Sequence, residues 1–175
     1  MSTVRRKILI ADDVEINRAL LKNMFEDEFD IIEAEDGKQT IRLIDEHRQE
    51  LSIVFLDLIM PKKTGLEVLL HMKKKELLSE IPVILITAEA SNESDLKTYE
   101  IGAADIIYKP FSRRVVKRRA KNLIELYESK RSQRMICENA LQVIERIKDA
   151  GEGMLPEDLM RDILKVESEI HEILN

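Results

Sequence analysis

The hydrophobic positions in the first part of the chain fall into short runs separated by longer stretches of mixed polarity. Runs rich in β-branched residues predict five strands, at residues 7–11, 29–34, 53–56, 83–87 and 105–108. Three of these runs are almost continuously apolar, which is typical of strands buried on both faces of a parallel sheet.

The stretches between these strands have the spacing of amphipathic helices. Four helices are predicted, at residues 14–27, 37–48, 65–78 and 91–101. In the first of them the apolar series is Ile16, Leu20 and Met24. Residues that can cap a helix stand at the start of the other three: Asp36, Thr64 and Ser91. The alternation of strand and helix predicts an α/β fold with a doubly wound, five-stranded parallel sheet.

The pattern changes after Pro110. Residues 112–150 contain neither proline nor glycine and are helical in pattern, and Gly151 and Gly153 then interrupt the helix. In the segment that follows, apolar residues recur with a strict 4-3 spacing that predicts a second helix with an apolar seam: Leu159, Ile163, Val166, Ile170 and Ile173. We therefore expect a first domain at residues 1–126 and a helical extension at residues 127–175.

The long helix has a similar seam, with a polar interruption at residues 128–134. Three interpretations remain open. The helix could self-associate as a coiled coil and make a homodimer. It could turn back at the glycines, so that residues 135–147 pack against residues 159–173 as a helical hairpin. It could also be a signalling helix that leads into an output domain outside this chain.

Composition narrows the class of protein. The chain has 175 residues, of which 44% are hydrophobic, and a formal net charge of -6. The negative charge makes nucleic acid an unlikely partner. Cys137 is the one cysteine, which excludes an internal disulfide framework and fits a reducing compartment. Apolar runs are too short to span a bilayer. A cytoplasmic protein without a membrane anchor is expected.

Charged and hydroxyl side chains that can bind ligands or react stand at the carboxyl ends of four predicted strands. Asp12 and Asp13 follow the first strand, Asp57 follows the third, Thr87 ends the fourth and Lys109 follows the fifth. In open α/β sheets, ligands bind outside the carboxyl ends of the strands. These side chains are therefore expected to form one site.

The residue types in this set favour phosphoryl transfer. Crowded carboxylates repel one another unless a cation joins them, and a hard divalent cation with oxygen ligands, such as Mg²⁺, fits best. Asp57 is the candidate nucleophile, which would form an aspartyl-phosphate. Lys109 would neutralise the charge of the phosphoryl group, and Thr87 would donate a hydrogen bond to it.

Four stretches carry a family resemblance, at residues 8–13, 56–61 with 65–69, 81–88, and 102–105 with 109–111. In this order and spacing they resemble the receiver domain of two-component response regulators, over roughly residues 5–126. The resemblance implies a flavodoxin-like sheet with strand order 2-1-3-4-5. It also implies phosphorylation of Asp57 by a histidine kinase or phosphotransfer protein, and a cis bond between Lys109 and Pro110.

The resemblance assigns further roles. Asp12, Asp13, Asp57 and the backbone carbonyl of Ile59 would hold Mg²⁺, while Thr87 and Lys109 would contact the phosphoryl group. Such a domain is a phosphoacceptor in a phosphorelay and not an enzyme, so any output enzyme would lie outside this chain. Residues 118–130 resemble the linker of receivers that are joined to cyclic-di-nucleotide cyclases or phosphodiesterases.

One position departs from the family pattern. Ile106 stands three residues before Lys109, where the family often has an aromatic residue that rotates during switching. The usual relay from Thr87 to an aromatic ring is therefore not expected. Two alternatives to an intact response regulator remain: the receiver and linker part of a longer output enzyme, and an adaptor that binds partners without phosphate. A magnesium-dependent phosphatase is disfavoured, because its nucleophile would lie on the first strand.

Overall fold

The computed structural model describes residues 6–88, 98–151 and 157–174. Its strands form one sheet: β1 (Lys7–Ala11), β2 (Asp30–Ala34), β3 (Leu51–Leu56), β4 (Val83–Thr87) and β5 (Asp105–Tyr108). Every neighbouring pair is parallel, and the strand order is β2-β1-β3-β4-β5. The predicted doubly wound sheet and its strand order are confirmed.

Helices connect the strands and extend beyond them. They are α1 (Glu15–Phe25), α2 (Gly37–His47), α3 (Gly65–Lys74), the long helix (Arg113–Gly151) and the last helix (Glu157–Leu174). A 3₁₀ turn follows α3 at Leu77–Ser79. Residues 98–101 are helical, whereas the rest of the predicted fourth helix, including its cap Ser91, lies outside the described residues.

Two of the predicted helix caps are present. The Asp36 carboxylate accepts a hydrogen bond from the backbone N–H of Gln39 at 2.7 Å at the start of α2. At the start of α3, the Thr64 hydroxyl accepts from the Glu67 N–H, and the Glu67 carboxylate accepts from the Thr64 N–H at 2.9 Å. This reciprocal arrangement is a capping box, which satisfies two backbone donors that a helix start leaves open.

The end of α3 differs from the prediction. The helix ends at Lys74 rather than at Leu78, because Glu76 adopts a left-handed conformation with φ of 59°. A left-handed residue cannot continue a right-handed helix. Glutamate does not favour the left-handed conformation in the way that glycine does. The sequence pattern therefore predicted a helix that extends beyond the observed end of α3.

The sheet is buried on both faces. Leu9 and Ala11 of β1 belong to one apolar cluster with residues of α2 and α3. Ile8 and Ile10, which point to the opposite face, belong to another cluster with α1 and the first turns of the long helix. This alternation along a strand is the geometric basis of a doubly wound sheet.

The apolar series of α1 is only partly buried. Of Ile16, Leu20 and Met24, only Met24 is buried, whereas Ile16 is 75% exposed and Leu20 is 50% exposed. The face that packs on the sheet consists of Leu21, Met24 and Phe25, and the Phe25 ring lies 5.2 Å from that of Phe55. Two apolar stripes overlap on α1, and spacing alone did not separate the inner stripe from the outer one.

The chain divides into two compact units, Met1–Tyr127 and Glu128–Asn175. The first unit contains the sheet. In the second, the end of the long helix and the last helix form an antiparallel pair. Lys148 pairs with Glu167 at 2.9 Å, and the Arg134 guanidinium donates to the carbonyl of Leu174 at 3.4 Å. The predicted helical hairpin is confirmed.

Packing within the hairpin is selective. Ile144 and Ile170 are buried, and Cys137 and Leu141 are half-buried on the same side of the long helix. Met135 and Ile136, which the predicted packing segment included, are 58% and 65% exposed. Within the described ranges, no helix is both long and apolar enough to cross a membrane.

The two faces of α1 can be separated by mutation. Met24→Ala should lower the free energy of unfolding by about 2–4 kcal/mol, because it leaves a cavity in the core. Ile16→Ala should change it by less than about 0.5 kcal/mol, because that side chain is exposed already. Urea denaturation followed by circular dichroism measures both. Equal losses for the two variants would contradict the assignment of the buried face.

Candidate functional site

Three carboxylates meet at the carboxyl edge of the sheet. Asp12 and Asp13 follow β1, and Asp57 follows β3, the strand that pairs with β1. One oxygen of each carboxylate lies within 4.8 Å of the others. Asp12 and Asp57 are 2% and 7% exposed, whereas Asp13 is open to solvent. The structure thus brings these three residues together at the place that the sequence predicts.

Lys109 binds two of these carboxylates. Its ammonium lies 2.8 Å from Oδ2 of Asp12 and 2.5 Å from Oδ2 of Asp57. The lysine follows β5, and its backbone N–H donates to the carbonyl of Thr87 at 2.8 Å, which links the ends of β4 and β5. The bond between Lys109 and Pro110 is cis, as the resemblance implied.

The backbone around Asp57 is fixed from several sides. Its N–H donates to the carbonyl of Ala11 at 2.8 Å, and its Oδ1 accepts from the N–H of Ile59 at 3.1 Å. Gly65, the first residue of α3, lies so close that a Cβ there would approach the carbonyl oxygen of Asp57 to 2.2 Å. Only glycine fits this position, so α3 abuts the loop that carries Asp57.

Asn17 and Arg18 support Asp12, a contact that the sequence analysis did not anticipate. The Asn17 amide donates to both carboxylate oxygens of Asp12 at 3.1 Å, and the Val14 N–H donates to Oδ1 at 2.9 Å. The Arg18 guanidinium donates to the Asp12 carbonyl at 2.8 Å and pairs with Glu33. The sequence feature that could have predicted these contacts is the position of an amide and a cation in the first turns of α1, shortly after the two aspartates.

Burial and charge perturb the groups of this site. Burial raises the pKa of Asp57 above its ordinary value, and the neighbouring Asp12 adds to the rise, although Lys109 and the N–H of Ile59 oppose it. Burial tends to lower the pKa of Lys109, but its hydrogen bonds to Asp12 and Asp57 prevail, so the pKa is raised. Lys109 is therefore a fixed positive charge at neutral pH, facing carboxylates that need a cation.

The other predicted site residues lie at the same edge or beside it. Thr87 is fully buried at the end of β4, next to Tyr108 of β5. Ile59 lies two residues beyond Asp57 with a side chain that is 62% exposed. Ile106 is 5% exposed and packs in the apolar cluster that includes α2 and α3, so an aliphatic side chain fills this position of the core.

The donor set suits a hard divalent cation. Three carboxylates within a few ångströms offer oxygen ligands only, which is the chemistry that Mg²⁺ and similar ions prefer. One carboxylate is exposed while two are buried. A cation could therefore reach the site from solvent and keep some of its water ligands. The same arrangement could place the oxygens of a phosphoryl group between a cation and Lys109.

Comparison with known proteins identifies a family over most of the chain. Residues 8–121 match the family described as response regulator receiver domain. The chain is 34% identical over 118 residues to histidine kinase P4 of Formosa agariphila, covering 67% of this chain and 8% of that protein. It is 34% identical over 119 residues to the transcriptional regulatory protein CpxR of Escherichia coli, covering 67% of this chain and 49% of CpxR.

A solved structure agrees with the fold. A chain of the crystal structure of the CheX-CheY-BeF3-Mg+2 complex from Borrelia burgdorferi superposes with a TM-score of 0.63 and 28% identity, covering 67% of this chain and 88% of that one. The present chain spans less than half the length of the curated relatives named above. The family match at residues 8–121 lies within the sheet-containing unit.

The burial of Asp57 beside Asp12 predicts an effect on stability. Because the pKa of Asp57 is raised on folding, its contribution to stability is fully present below its ordinary pKa of 3.8 and is lost as the pH rises through the raised value. Without divalent cations, Asp57→Asn should therefore raise the free energy of unfolding at pH 7, and the gain should vanish near pH 3.

Urea denaturation at several pH values measures this difference. Asp27→Asn, which removes an exposed carboxylate that is not part of the cluster, is the matched control and should have little effect. A destabilised Asp57→Asn variant at pH 7 would show that the contact with Lys109 outweighs the burial and repulsion of the Asp57 carboxylate.

Proposed function

The chain belongs to the response regulator receiver domain family, and from that membership we propose that it accepts a phosphoryl group on Asp57 in a two-component signalling pathway. The observation that carries this proposal is the joint placement of three carboxylates and the Lys109 ammonium at the ends of neighbouring strands. The donor is proposed to be a phosphohistidine of a histidine kinase or of a phosphotransfer protein.

The transfer is a displacement at phosphorus. A carboxylate oxygen of Asp57 attacks the phosphorus atom, the bond from phosphorus to the imidazole nitrogen breaks, and the departing nitrogen retains the electron pair. If the second ring nitrogen of the phosphohistidine carries a proton, the imidazole leaves as a neutral histidine, and the other product is an acyl phosphate on Asp57. Asp57 is held for this step by the N–H of Ile59 on one oxygen, which leaves the attack to the oxygen that faces Lys109.

Two neighbouring residues would stabilise the negative charge of the phosphoryl group. Lys109 already contacts Asp57 and would move its hydrogen bond to a phosphoryl oxygen, where it offsets negative charge. The Thr87 hydroxyl, at the end of the adjacent strand, would donate to another phosphoryl oxygen. In this proposal Thr87 and Lys109 detect the modification, since Thr87 ends β4, which pairs with β3, and Lys109 directly follows β5.

Magnesium is the proposed cofactor. Asp12, Asp13, Asp57 and the carbonyl of Ile59 would hold it, and Asn17 and Arg18 would keep Asp12 in place through their hydrogen bonds. When bound, Mg²⁺ supplies positive charge to the phosphoryl oxygens and relieves the repulsion between the carboxylates. The similarity to the CheX-CheY-BeF3-Mg+2 complex from Borrelia burgdorferi supports this proposal.

The cellular location of the chain and its other partners are proposals as well. We propose a cytoplasmic signalling protein that works as a phosphoacceptor and not as an enzyme with turnover. The helical extension, residues 127–175, is proposed to carry the signal and to hold a homodimer. An output domain elsewhere in a longer protein is compatible with the greater length of the curated relatives.

Phosphorylation can be tested directly. Incubation with acetyl phosphate and Mg²⁺ should add the mass of one phosphoryl group to the intact protein, because the small donor needs no kinase. Asp57→Asn should abolish the adduct, whereas Asp27→Asn should retain it. Mass spectrometry of intact protein gives the result. An adduct that persists in Asp57→Asn, or none in the wild type, would favour an adaptor that does not use phosphate.

Magnesium binding should stabilise the fold. A ligand that binds only the folded state at a hundred times its dissociation constant adds about 2.7 kcal/mol to the free energy of unfolding. Mg²⁺ should therefore raise the urea midpoint of the wild type, and Asp13→Asn should lose most of that rise while its exposed position leaves the fold intact. Circular dichroism is the readout, since the chain has no Trp. An equal rise in Asp13→Asn would contradict the proposed ligand set.

A further inference from the structure

The part of the long helix in the second unit carries two apolar stripes side by side. The inward stripe consists of Cys137, Leu141 and Ile144, which are half-buried or buried on the side of the last helix. The outward stripe repeats with the 4-3-4 spacing of a packed helix: Ile136, Ala140, Val143 and Ile147. Ile136, Val143 and Ile147 are 65%, 54% and 40% exposed. This stripe is about 17 Å long at the helical rise of 1.5 Å per residue.

The last helix repeats this arrangement. Ile163, Ile170 and Leu174 lie on its inward side and are half-buried or buried. Leu159 and Val166, two turns apart and therefore on one side of the helix, are each 46% exposed. They form the outward stripe of the last helix.

Both outward stripes project from the same face of the hairpin. At about 100° per residue, the outward stripe is rotated from the inward stripe by about 100° in the long helix and by about 50° in the last helix. The rotation has the same sense along each chain direction. Because the two helices are antiparallel, rotations of the same sense bring both stripes to one side.

The hairpin has little core of its own. Among its described residues, only Ile144 and Ile170 are buried apolar side chains. Units of this size bury a smaller share of their surface than larger domains do, so their stability is marginal and association adds to it. The exposed stripe of each helix therefore lacks the packing that its spacing is suited to.

Charge identifies the partner that fits. The last helix is acidic, with Glu157, Asp158, Asp162, Glu167, Glu169 and Glu172 against Arg161 and Lys165. The segment of the long helix beside it has a small basic excess, with Lys130, Arg131, Arg134, Arg146 and Lys148 against Glu128, Glu138, Glu145 and Asp149. If two hairpins stack around a twofold axis parallel to the helices, each long helix lies between two last helices. Every helix then has neighbours of complementary charge.

We propose that a second copy of this chain covers this face, so that two hairpins form a four-helix bundle through the outward stripes. The inference deepens the homodimer proposed above, because it specifies the residues and excludes the other seam. Cys137, Leu141 and Ile144 are already used inside one hairpin, so a simple coiled coil through that seam would require the hairpin to open.

The test compares two matched pairs of substitutions in the full chain. Val143→Glu with Ile147→Glu places charges on the outward stripe. Met135→Glu with Leu164→Glu places the same charges at residues that are 58% and 48% exposed but lie on other sides of their helices. Sedimentation equilibrium over a range of concentrations gives the molecular mass and the dissociation constant of the dimer.

The wild type and the Met135/Leu164 variant should be dimers, and the Val143/Ile147 variant should be a monomer. If the charged variant loses helicity by circular dichroism, Val143→Ala with Ile147→Ala replaces it, because alanine keeps the helix. That pair should raise the dissociation constant of the dimer by roughly tenfold or more. A monomeric wild type, a stripe variant that stays dimeric, or equal weakening by both pairs would overturn the proposal.

The measurement uses unphosphorylated protein, so it does not depend on Asp57. Beryllofluoride binding in the presence of Mg²⁺, measured on the same samples, reports the phosphoacceptor site separately. Loss of that binding in every sample would count against the proposed function and leave the bundle intact. A change in the molecular mass from sedimentation without a change in beryllofluoride binding would report on the four-helix bundle and not on the phosphoacceptor site.

Discussion

The repulsion among three carboxylates is the constraint on which the site depends. At 4 Å, two like charges repel by about 4 kcal/mol at an effective dielectric constant of 20. Asp12 and Asp57 are buried, and Lys109 contacts both carboxylates. The pKa of Asp57 is raised above its ordinary value, chiefly by burial and further by the nearby Asp12. The ends of β1 and β3 nevertheless hold both carboxylates in place through backbone hydrogen bonds. A site with this surplus of negative charge is prepared for a cation and for a phosphoryl group that the cation can accompany.

Much of this arrangement could be predicted from local sequence pattern. Apolar runs located the strands, and parallel strands bring their carboxyl ends to one edge, so Asp12, Asp57 and Lys109 were expected to meet. The contacts of Asn17 and Arg18 could not be predicted, because they depend on how α1 docks against the sheet. The end of α3 was wrong for a similar reason: a left-handed glutamate leaves no pattern. Roles of the site residues were implied by the resemblance and stay proposals.

In the helical extension, the spacing of apolar residues does not identify what each helix packs against. A 4-3 seam predicts that a helix packs on something, but it does not say whether the partner is the same chain or another. The structure assigns one seam to the hairpin and leaves a second stripe exposed. Within the first unit, Ile106 is buried in the core. A signal from Asp57 would therefore need a route to the long helix that does not use a rotating aromatic ring at this position. The Tyr127 hydroxyl donates to the carbonyl of Leu78 at 3.3 Å, which joins the long helix to the 3₁₀ turn after α3.

Asp57 itself is proposed to become the acyl phosphate. Borohydride reduces an acyl phosphate on aspartate to homoserine, which marks the modified position permanently. After treatment with acetyl phosphate and Mg²⁺ followed by borohydride, peptide mapping by mass spectrometry should find homoserine at position 57 and only in the phosphorylated sample. Homoserine at position 12 or 13, or a phosphoprotein that borohydride leaves unchanged, would contradict this account.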